Sequence, residues 1–217
     1  MKKVAIFDLD GTLSDSILSI KYCADRALAT CGLGPFSKED YFYFVGDGAP
    51  VLIERCLKAA GDEALEHYDE VWKAYKAFFA KDCMYEVKPY DGIVETLHAL
   101  KDRGVKLAVL SNKPHAETIN VVETLFGKGF FDVIHGHKED VPKKPDPAGV
   151  YSILNELSID VKDALYIGDT NTDMNTGRGA GAFTIGVLWG FRGREELETY
   201  GADAIIENPT NILDYVN

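Results

Sequence analysis

A chain of 217 residues, 46% hydrophobic and 27% charged, is long enough to bury a sizeable core as one α/β domain or a domain with a modest insertion, and its balance excludes a disordered chain. The formal net charge of -12 disfavours nucleic acid and anionic membranes as partners, yet leaves an anionic small molecule open, because a bound divalent cation neutralises carboxylates locally. Only four apolar residues follow the basic start Met1-Lys2-Lys3, too few for a signal-peptide core or a membrane span, so a cytoplasmic protein is expected.

Val4-Ala5-Ile6-Phe7 is a continuous apolar run of the kind a strand buried on both faces requires. After it, residues from about 14 to 85 read as helical throughout. Ile17, Ile20, Ala24, Ala27, Leu28 and Cys31 recur at helical spacing, and Gly32 with Gly34-Pro35 closes that segment. Ser37 and Asp40 have the spacing of a capping box with a shortened acid. Val51, Leu52, Arg55, Cys56 and Ala59 mark a further helix ending near Gly61, and Val71, Tyr75, Phe78 and Phe79 line one face of another, where bundle packing accounts for the aromatic stripe. Cys23, Cys31, Cys56 and Cys83 form no Cys-x-x-Cys pair and are expected as buried reduced thiols.

From Val87 onward strands and helices alternate. Strands are expected near residues 106–111, 132–135, 164–168, 183–187 and 204–206, and helices near 93–103, 116–125, 147–157, 174–179 and 195–200. Such alternation implies right-handed βαβ crossovers and a parallel sheet covered on both faces, which the first strand must join. The expected fold is α/β, with a core domain of residues 1–14 and 86–217. A helical cap domain, residues 15–85, is inserted after the first strand over the carboxyl ends of the strands, where open α/β sheets place their ligands.

Asp8-Leu9-Asp10-Gly11-Thr12-Leu13 follows the first strand directly. Strand alternation projects Asp8 and Asp10 toward one site, where two carboxylates are unfavourable unless one is protonated or a cation lies between them, so the pair asks for a metal. Together they read as a nucleophile and its proton shuttle. Gly11 lets the backbone turn sharply, and Thr12 offers a hydroxyl to whatever the turn surrounds. Three later segments carry comparable chemistry. Leu107-Ala108-Val109-Leu110-Ser111-Asn112 is an apolar strand ending in a hydroxyl, and Lys144-Pro145-Asp146-Pro147 puts a lysine just before a helix. Leu165-Tyr166-Ile167-Gly168-Asp169-Thr170-Asn171-Thr172-Asp173 is an apolar strand followed by Gly-Asp and a second Asp four residues on. His115, His135 and His137 have a spacing that suits no common metal site and are expected in surface or packing roles.

These four segments resemble, in order and across the whole chain, the four motifs of the haloacid dehalogenase-like phosphohydrolase superfamily. The resemblance implies a doubly wound, Rossmann-like parallel-sheet core with a helical cap, and a phosphatase in which Asp8 attacks phosphorus to form an aspartyl phosphate. Asp10 then protonates the leaving oxygen and later takes a proton from the hydrolytic water. Ser111 and the backbone amides after Asp8 hold the phosphoryl oxygens, and Lys144 adds a fixed positive charge. Asp8, the Asp10 carbonyl and Asp169 are the implied ligands of Mg²⁺, a hard cation suited to oxygen donors, while Asp173 orients Lys144 or a metal-bound water. By the same resemblance, an acid at Asp10 favours phosphate chemistry over dehalogenation.

Within the superfamily, Ser111-Asn112-Lys113-Pro114, Val45-Gly46-Asp47-Gly48-Ala49 and Lys144-Pro145-Asp146-Pro147 are similar to segments of the phosphoglycolate phosphatases and their neighbours. Residues expected to meet substrate are therefore Thr12, Asn112, Lys113, Tyr43, Gly46, Asp47, Gly48 and Arg55, with the cap choosing the leaving group. Some relatives place an arginine shortly before the cap glycines. Here Tyr41-Phe42-Tyr43-Phe44 stands instead, and Arg55 or Lys113 is left to supply a cation for a substrate carboxylate. The expected partner is a small-molecule phosphate ester, with neither nucleic acid nor membrane, and the chain a monomer or homodimer. Competing readings are a phosphosugar mutase, a pyrophosphatase or nucleotidase of the same fold, and a non-catalytic binding module. Intact Asp8, Asp10, Ser111, Lys144 and Asp169 count against the last.

Overall fold

The computed structural model describes residues 1–216. In chain order the elements begin with β1 (Val4–Phe7), the short β2 (Ser14–Asp15), and helices α1 (Ile17–Ala29), α2 (Lys38–Phe44), α3 (Ala49–Ala59) and α4 (Tyr68–Asp82). The short β3 (Lys88–Pro89) leads into α5 (Ile93–Asp102), β4 (Lys106–Pro114), α6 (His115–Phe126), β5 (Val133–His137), α7 (Ala148–Leu157) and β6 (Ala164–Gly168). The chain closes with α8 (Asn171–Ala180), β7 (Phe183–Val187), α9 (Arg194–Thr199), β8 (Ala204–Ile206) and a 3₁₀ segment, Pro209–Tyr215. Two compact units result: Met1–Asp15 with the chain from Pro89 onward, and Ser16–Lys88.

The first unit holds a six-stranded sheet in the order β5-β4-β1-β6-β7-β8, parallel throughout. Its strands are continuous apolar runs because both faces are covered. On one face Val4, Ile6, Ala108, Leu110, Val133, Ala164 and Tyr166 pack against Val150, Ile153 and Leu154 of α7 and against Ala180 and Ala182. Alternation turns Ala5, Phe7, Leu107, Val109, Leu165 and Ile167 to the other face, where all are fully buried and α5 packs on β4. Each buried large side chain contributes about 1.5–3 kcal/mol, the stabilisation that lets polar groups gather at the strand ends.

The register fixes where those ends lie. Phe7 stands opposite Val109 on one side and Ile167 on the other, so Asp8, Leu110 and Gly168 come level at one edge of the sheet. The Asp8 amide extends the ladder by donating to the Ile167 carbonyl at 2.9 Å. The chain winds from β1 through β4 to β5, then reverses through β6 to β8, which makes the β1/β6 crevice the topological switch point. Several elements depart from the pattern read in the sequence: β2 stands at the start of the stretch read as helical, and β5 runs on to His137. β4 continues to Pro114, with a register shift against β5 between Leu110 and Pro114. α8 starts at Asn171, because Thr170 and Asp173 form a reciprocal capping box.

The second unit is all helical. α1 contacts α2, α3 and α4, burying Ile17, Ile20, Cys23, Ala24, Ala27 and Leu28; Cys31 falls beyond the end of the helix. The capping box at Ser37 and Asp40 forms, with Ser37 N to Asp40 Oδ2 at 2.9 Å and Asp40 N to Ser37 Oγ at 3.2 Å. On α3 the buried row is Leu52, Ile53, Cys56 and Leu57, one position round from the face read in the sequence, and Val51, Arg55 and Ala59 lie off it. Val71, Tyr75 and Phe79 are buried on α4, whereas Phe78 turns aside under the Arg26 guanidinium, 4.1 Å from its ring centre. The four cysteines form no disulfide, and three of them are buried. Among the described residues no helix is long and apolar enough to cross a membrane.

Helix α8 carries Asp173, and Gly177 sets how closely it lies on the sheet. A Cβ at Gly177 would stand 2.4 Å from Thr184 Oγ1 and 2.9 Å from Tyr166 Cβ. Gly177→Ala gains about 1 kcal/mol of helix propensity, but overpacking costs about 1–3 kcal/mol, and the contact with Tyr166 lies too near the backbone to yield by rotation. The variant is expected to melt at a lower temperature than the parent in a calorimetric scan, and an unchanged or raised Tm would refute this account of the helix–sheet contact.

Candidate active site

Asp8 is 7% exposed at the end of β1. Its Oδ1 accepts from the Leu9 amide at 2.7 Å and pairs with Lys144 Nζ at 2.8 Å. Both contacts fall on Oδ1, which leaves Oδ2 outside them. Gly11 then turns the chain at φ +90°, where a Cβ would come 2.2 Å from Asp169 Oδ2. No side chain fits between the first turn and Asp169. Thr12, expected to meet substrate, is instead fully buried, and its hydroxyl donates to Asp169 Oδ1 at 3.0 Å.

Lys144 is 4% exposed and bridges two carboxylates, with Nζ 2.8 Å from Asp8 Oδ1 and 2.8 Å from Asp173 Oδ1. Asp173 is saturated by donors. Tyr166 Oη also donates to its Oδ1 at 3.1 Å, while its Oδ2 accepts from Thr170 Oγ1 at 2.7 Å, Thr170 N at 3.1 Å and Asp169 N at 3.3 Å. Asn112, another residue expected at substrate, clamps the lysine from behind: Nδ2 donates to the Lys144 carbonyl at 3.0 Å and Oδ1 accepts the Lys144 amide at 2.9 Å.

Ser111 Oγ accepts the Lys113 amide at 3.1 Å, so its proton remains available to an incoming anion. Lys113 Nζ donates to Asp10 Oδ1 at 2.7 Å. Of the amides expected to face the phosphoryl group, that of Leu9 serves Asp8 and that of Gly11 serves the Ser14 carbonyl at 2.9 Å. Sequence reasoning missed Trp189, Gly190 and Phe191, the turn after β7. The Phe191 amide donates to Asp169 Oδ2 at 2.8 Å and Trp189 Nε1 to the Thr12 carbonyl at 3.0 Å, while a Cβ at Gly190 would stand 2.3 Å from Asp169 Cβ. The one available signal was a glycine three residues after a buried strand.

In the helical unit, Arg55 Nη1 donates to the carbonyls of Tyr43, Phe44 and Val45 at 3.3, 3.1 and 3.4 Å, and Nη2 pairs with Asp47. The guanidinium offered as a substrate cation is thus engaged in holding its own loop. Gly46 and Gly48 take positive φ there, Gly48 as the N-cap of α3, and Tyr43 is 73% exposed.

Residues 5–187 match the family model of the haloacid dehalogenase-like hydrolases. The chain belongs to that family. It is 35% identical over 211 residues to a phosphoglycolate phosphatase of Aquifex aeolicus, covering 97% of this chain and 95% of that protein. A phosphoglycolate phosphatase of Rhodospirillum rubrum is 31% identical over 222 residues, covering 100% and 91%. A crystal structure from Lactobacillus delbrueckii subsp. bulgaricus, described as a candidate phosphoglycolate phosphatase, superposes with a TM-score of 0.92 at 30% identity over 100% of this chain and 99% of that one. The chain is accordingly a phosphatase of the haloacid dehalogenase-like type.

In this phosphatase one carboxylate oxygen from each of Asp8, Asp169 and Asp173 lies within 4.8 Å of the others, and all three residues are buried. Burial above all, then the charge of Asp173, pushes the Asp8 carboxyl up to about 7, with Lys144 opposing and Asp10 adding to the rise. Burial, Asp173 and Asp8 raise Asp169 well above the usual carboxylate range. Burial disfavours the charged Lys144, but Asp173 and Asp8 outweigh it and hold its pKa well above the ordinary value. An oxygen-only donor set with surplus negative charge fits a hard divalent cation, for which Asp8 and Asp169 keep lone pairs that the saturated Asp173 lacks.

Because the fold raises Asp8 to about 7, the folded chain keeps a proton there that the unfolded chain has lost. Without a divalent cation, the stability tied to this group is full below the ordinary carboxylate range and is lost as pH rises through about 7. A bound cation favours the carboxylate and reverses that loss. Mg²⁺ added to EDTA-treated protein is therefore expected to raise Tm more at about pH 8 than at about pH 5, and an equal or smaller rise at the higher pH would refute it.

Proposed function

We propose that this phosphatase hydrolyses a small-molecule phosphate monoester through an aspartyl phosphate on Asp8, with Mg²⁺ as its cation. The observation that carries this is the buried ammonium of Lys144, shared between Asp8 and Asp173 at 2.8 Å each. A lysine so placed keeps the nucleophile aimed and meets the phosphoryl group with positive charge already in position.

Asp8 Oδ2, the oxygen not taken by Leu9 and Lys144, attacks phosphorus. The bond from phosphorus to the ester oxygen breaks, and Asp10 gives its proton to that oxygen. Asp10, now a carboxylate, takes a proton from water, which attacks the same phosphorus; the bond to Asp8 breaks and inorganic phosphate leaves. Ser111 donates its hydroxyl proton to a phosphoryl oxygen, and Lys144 balances the charge spread over the transferring group. Asp8, the Asp10 carbonyl and Asp169 would hold Mg²⁺, which when bound screens the nucleophile from the anionic ester.

Phosphoglycolate is the first substrate we propose, supported by the name carried by the Aquifex aeolicus and Rhodospirillum rubrum relatives. The choice among esters we assign to the loop from Tyr43 to Gly48. A screen of phosphoglycolate, sugar phosphates, nucleotides and pyrophosphate, read as inorganic phosphate released, tests this. Phosphate release from a monoester marks a hydrolase, and return of the phosphoryl group to a sugar would mark a mutase.

Asp8→Asn is expected to abolish release, and Lys144→Ala to lower kcat on the order of 10²–10³-fold by removing one preorganised charge. EDTA should stop turnover, with Mg²⁺ restoring it and Ca²⁺ not, since Ca²⁺ takes more ligands at longer distance. An active Asp8→Asn enzyme, or full activity after exhaustive chelation, overturns the mechanism.

A further inference from the structure

Strand β4 does not stop at the hydroxyl of Ser111. It loses register against β5, pairing Leu110 with His135 but Pro114 with His137, so that three residues of β4 bulge where β5 has one. Across the bulge alternation persists: Ser111 and Lys113 are buried and Asn112 between them is half-buried. The main chain of Lys113 is fixed at both ends, its amide by Ser111 Oγ at 3.1 Å and its carbonyl by Thr118 Oγ1 at 3.1 Å. Thr118 cannot easily move, because the Gly136 backbone approaches it so closely that a Cβ there would stand 2.4 Å from its Oγ1. The Lys113 side chain, 2% exposed, ends with Nζ 2.7 Å from Asp10 Oδ1.

We propose that Lys113 is the positioning residue for Asp10, fixing the carboxyl where it meets the leaving oxygen and thereby setting how well poor leaving groups are expelled. This rests on the reading of Asp10 as general acid. Asp10 stands directly before the turn at Gly11 and its side chain is 18% exposed, more than that of Asp8 or Asp169, so it has less packing to fix its rotamer. One charge-assisted bond from an immobilised lysine supplies what packing does not. The geometry also distinguishes Lys113 from Lys144, which touches Asp8 and Asp173 and so acts on the nucleophile.

The test is the dependence of kcat/KM on the leaving group, measured for Lys113→Met, Lys113→Arg and Asp10→Asn across a series from nitrophenyl to alkyl phosphates. A good leaving group departs without a proton, whereas an alkoxide needs one. Asp10→Asn is expected to steepen the dependence, and Lys113→Met to follow it, losing on the order of 10²-fold on alkyl esters and little on the nitrophenyl ester. Lys113→Arg, which keeps a charged donor, should fall between Lys113→Met and the parent. Should Lys113→Met fail to fold, Lys113→Arg and Lys113→Gln carry the same comparison. A uniform loss in the Lys113 variants while Asp10→Asn steepens would overturn the positioning role, as would a loss confined to substrates with a second anionic group. A flat series in Asp10→Asn would instead remove the acid itself.

Discussion

The ion pair that Lys144 makes with Asp8 and Asp173 is the contact around which this site is arranged. Burying a carboxylate or an ammonium costs several kcal/mol per ion even after relaxation, and the cost is recovered only when geometry is good and the remaining hydrogen-bonding capacity is filled. The chain meets both conditions. Asn112 fixes the lysine backbone through its amide and carbonyl, and Tyr166 and Thr170 fill the oxygens of Asp173 that the lysine leaves open. Those partners sit on β4, β6 and the start of α8, so the sheet register and the docking of α8 are prerequisites of the pair.

Asp169 is held by a different device. Around it the backbone itself closes in, with Gly11 on one side and Gly190 on the other at distances no Cβ tolerates, while Thr12 and the Phe191 amide each donate to one of its oxygens. Backbone walls cannot rotate away. A carboxylate confined this way presents its remaining lone pairs in one direction, which suits a hard cation.

The sequence made the strand-end chemistry legible because each motif follows an apolar run, and a parallel sheet brings such ends together whatever the loops do. Asp8, Lys144, Asp169 and Asp173 were therefore readable as one group. Orientation was not. Thr12, Asn112 and Lys113 have side chains that bind anions equally well, and only the fold turns the first to Asp169, the second to the Lys144 backbone and the third to Asp10. Trp189, Gly190 and Phe191 escaped notice because their partners, Thr12 and Asp169, lie far away in sequence. In the helical unit, the face of α3 was read one position out, since Arg55 at an apolar spacing looks like a face residue until its guanidinium is seen bonding the Tyr43–Val45 carbonyls.

The acidic chain and its anionic substrate are reconciled by local charge. Asp8, Asp169 and Asp173 gather beside the ammonium of Lys144, and Asp10 beside that of Lys113, so each buried lysine offsets part of the negative charge at the strand ends. With Asp10 holding the proton it gives to the leaving oxygen, three carboxylates face two ammonium groups, and a divalent cation turns the remaining negative charge into a positive one that attracts a phosphate ester at short range, where low dielectric strengthens the attraction. The surface carboxylates act on that centre only weakly, because salt screens exposed charges beyond about 8–10 Å. The -12 of the whole chain bears on solubility, while the field at the strand ends is set by the carboxylates and the two buried lysines gathered there.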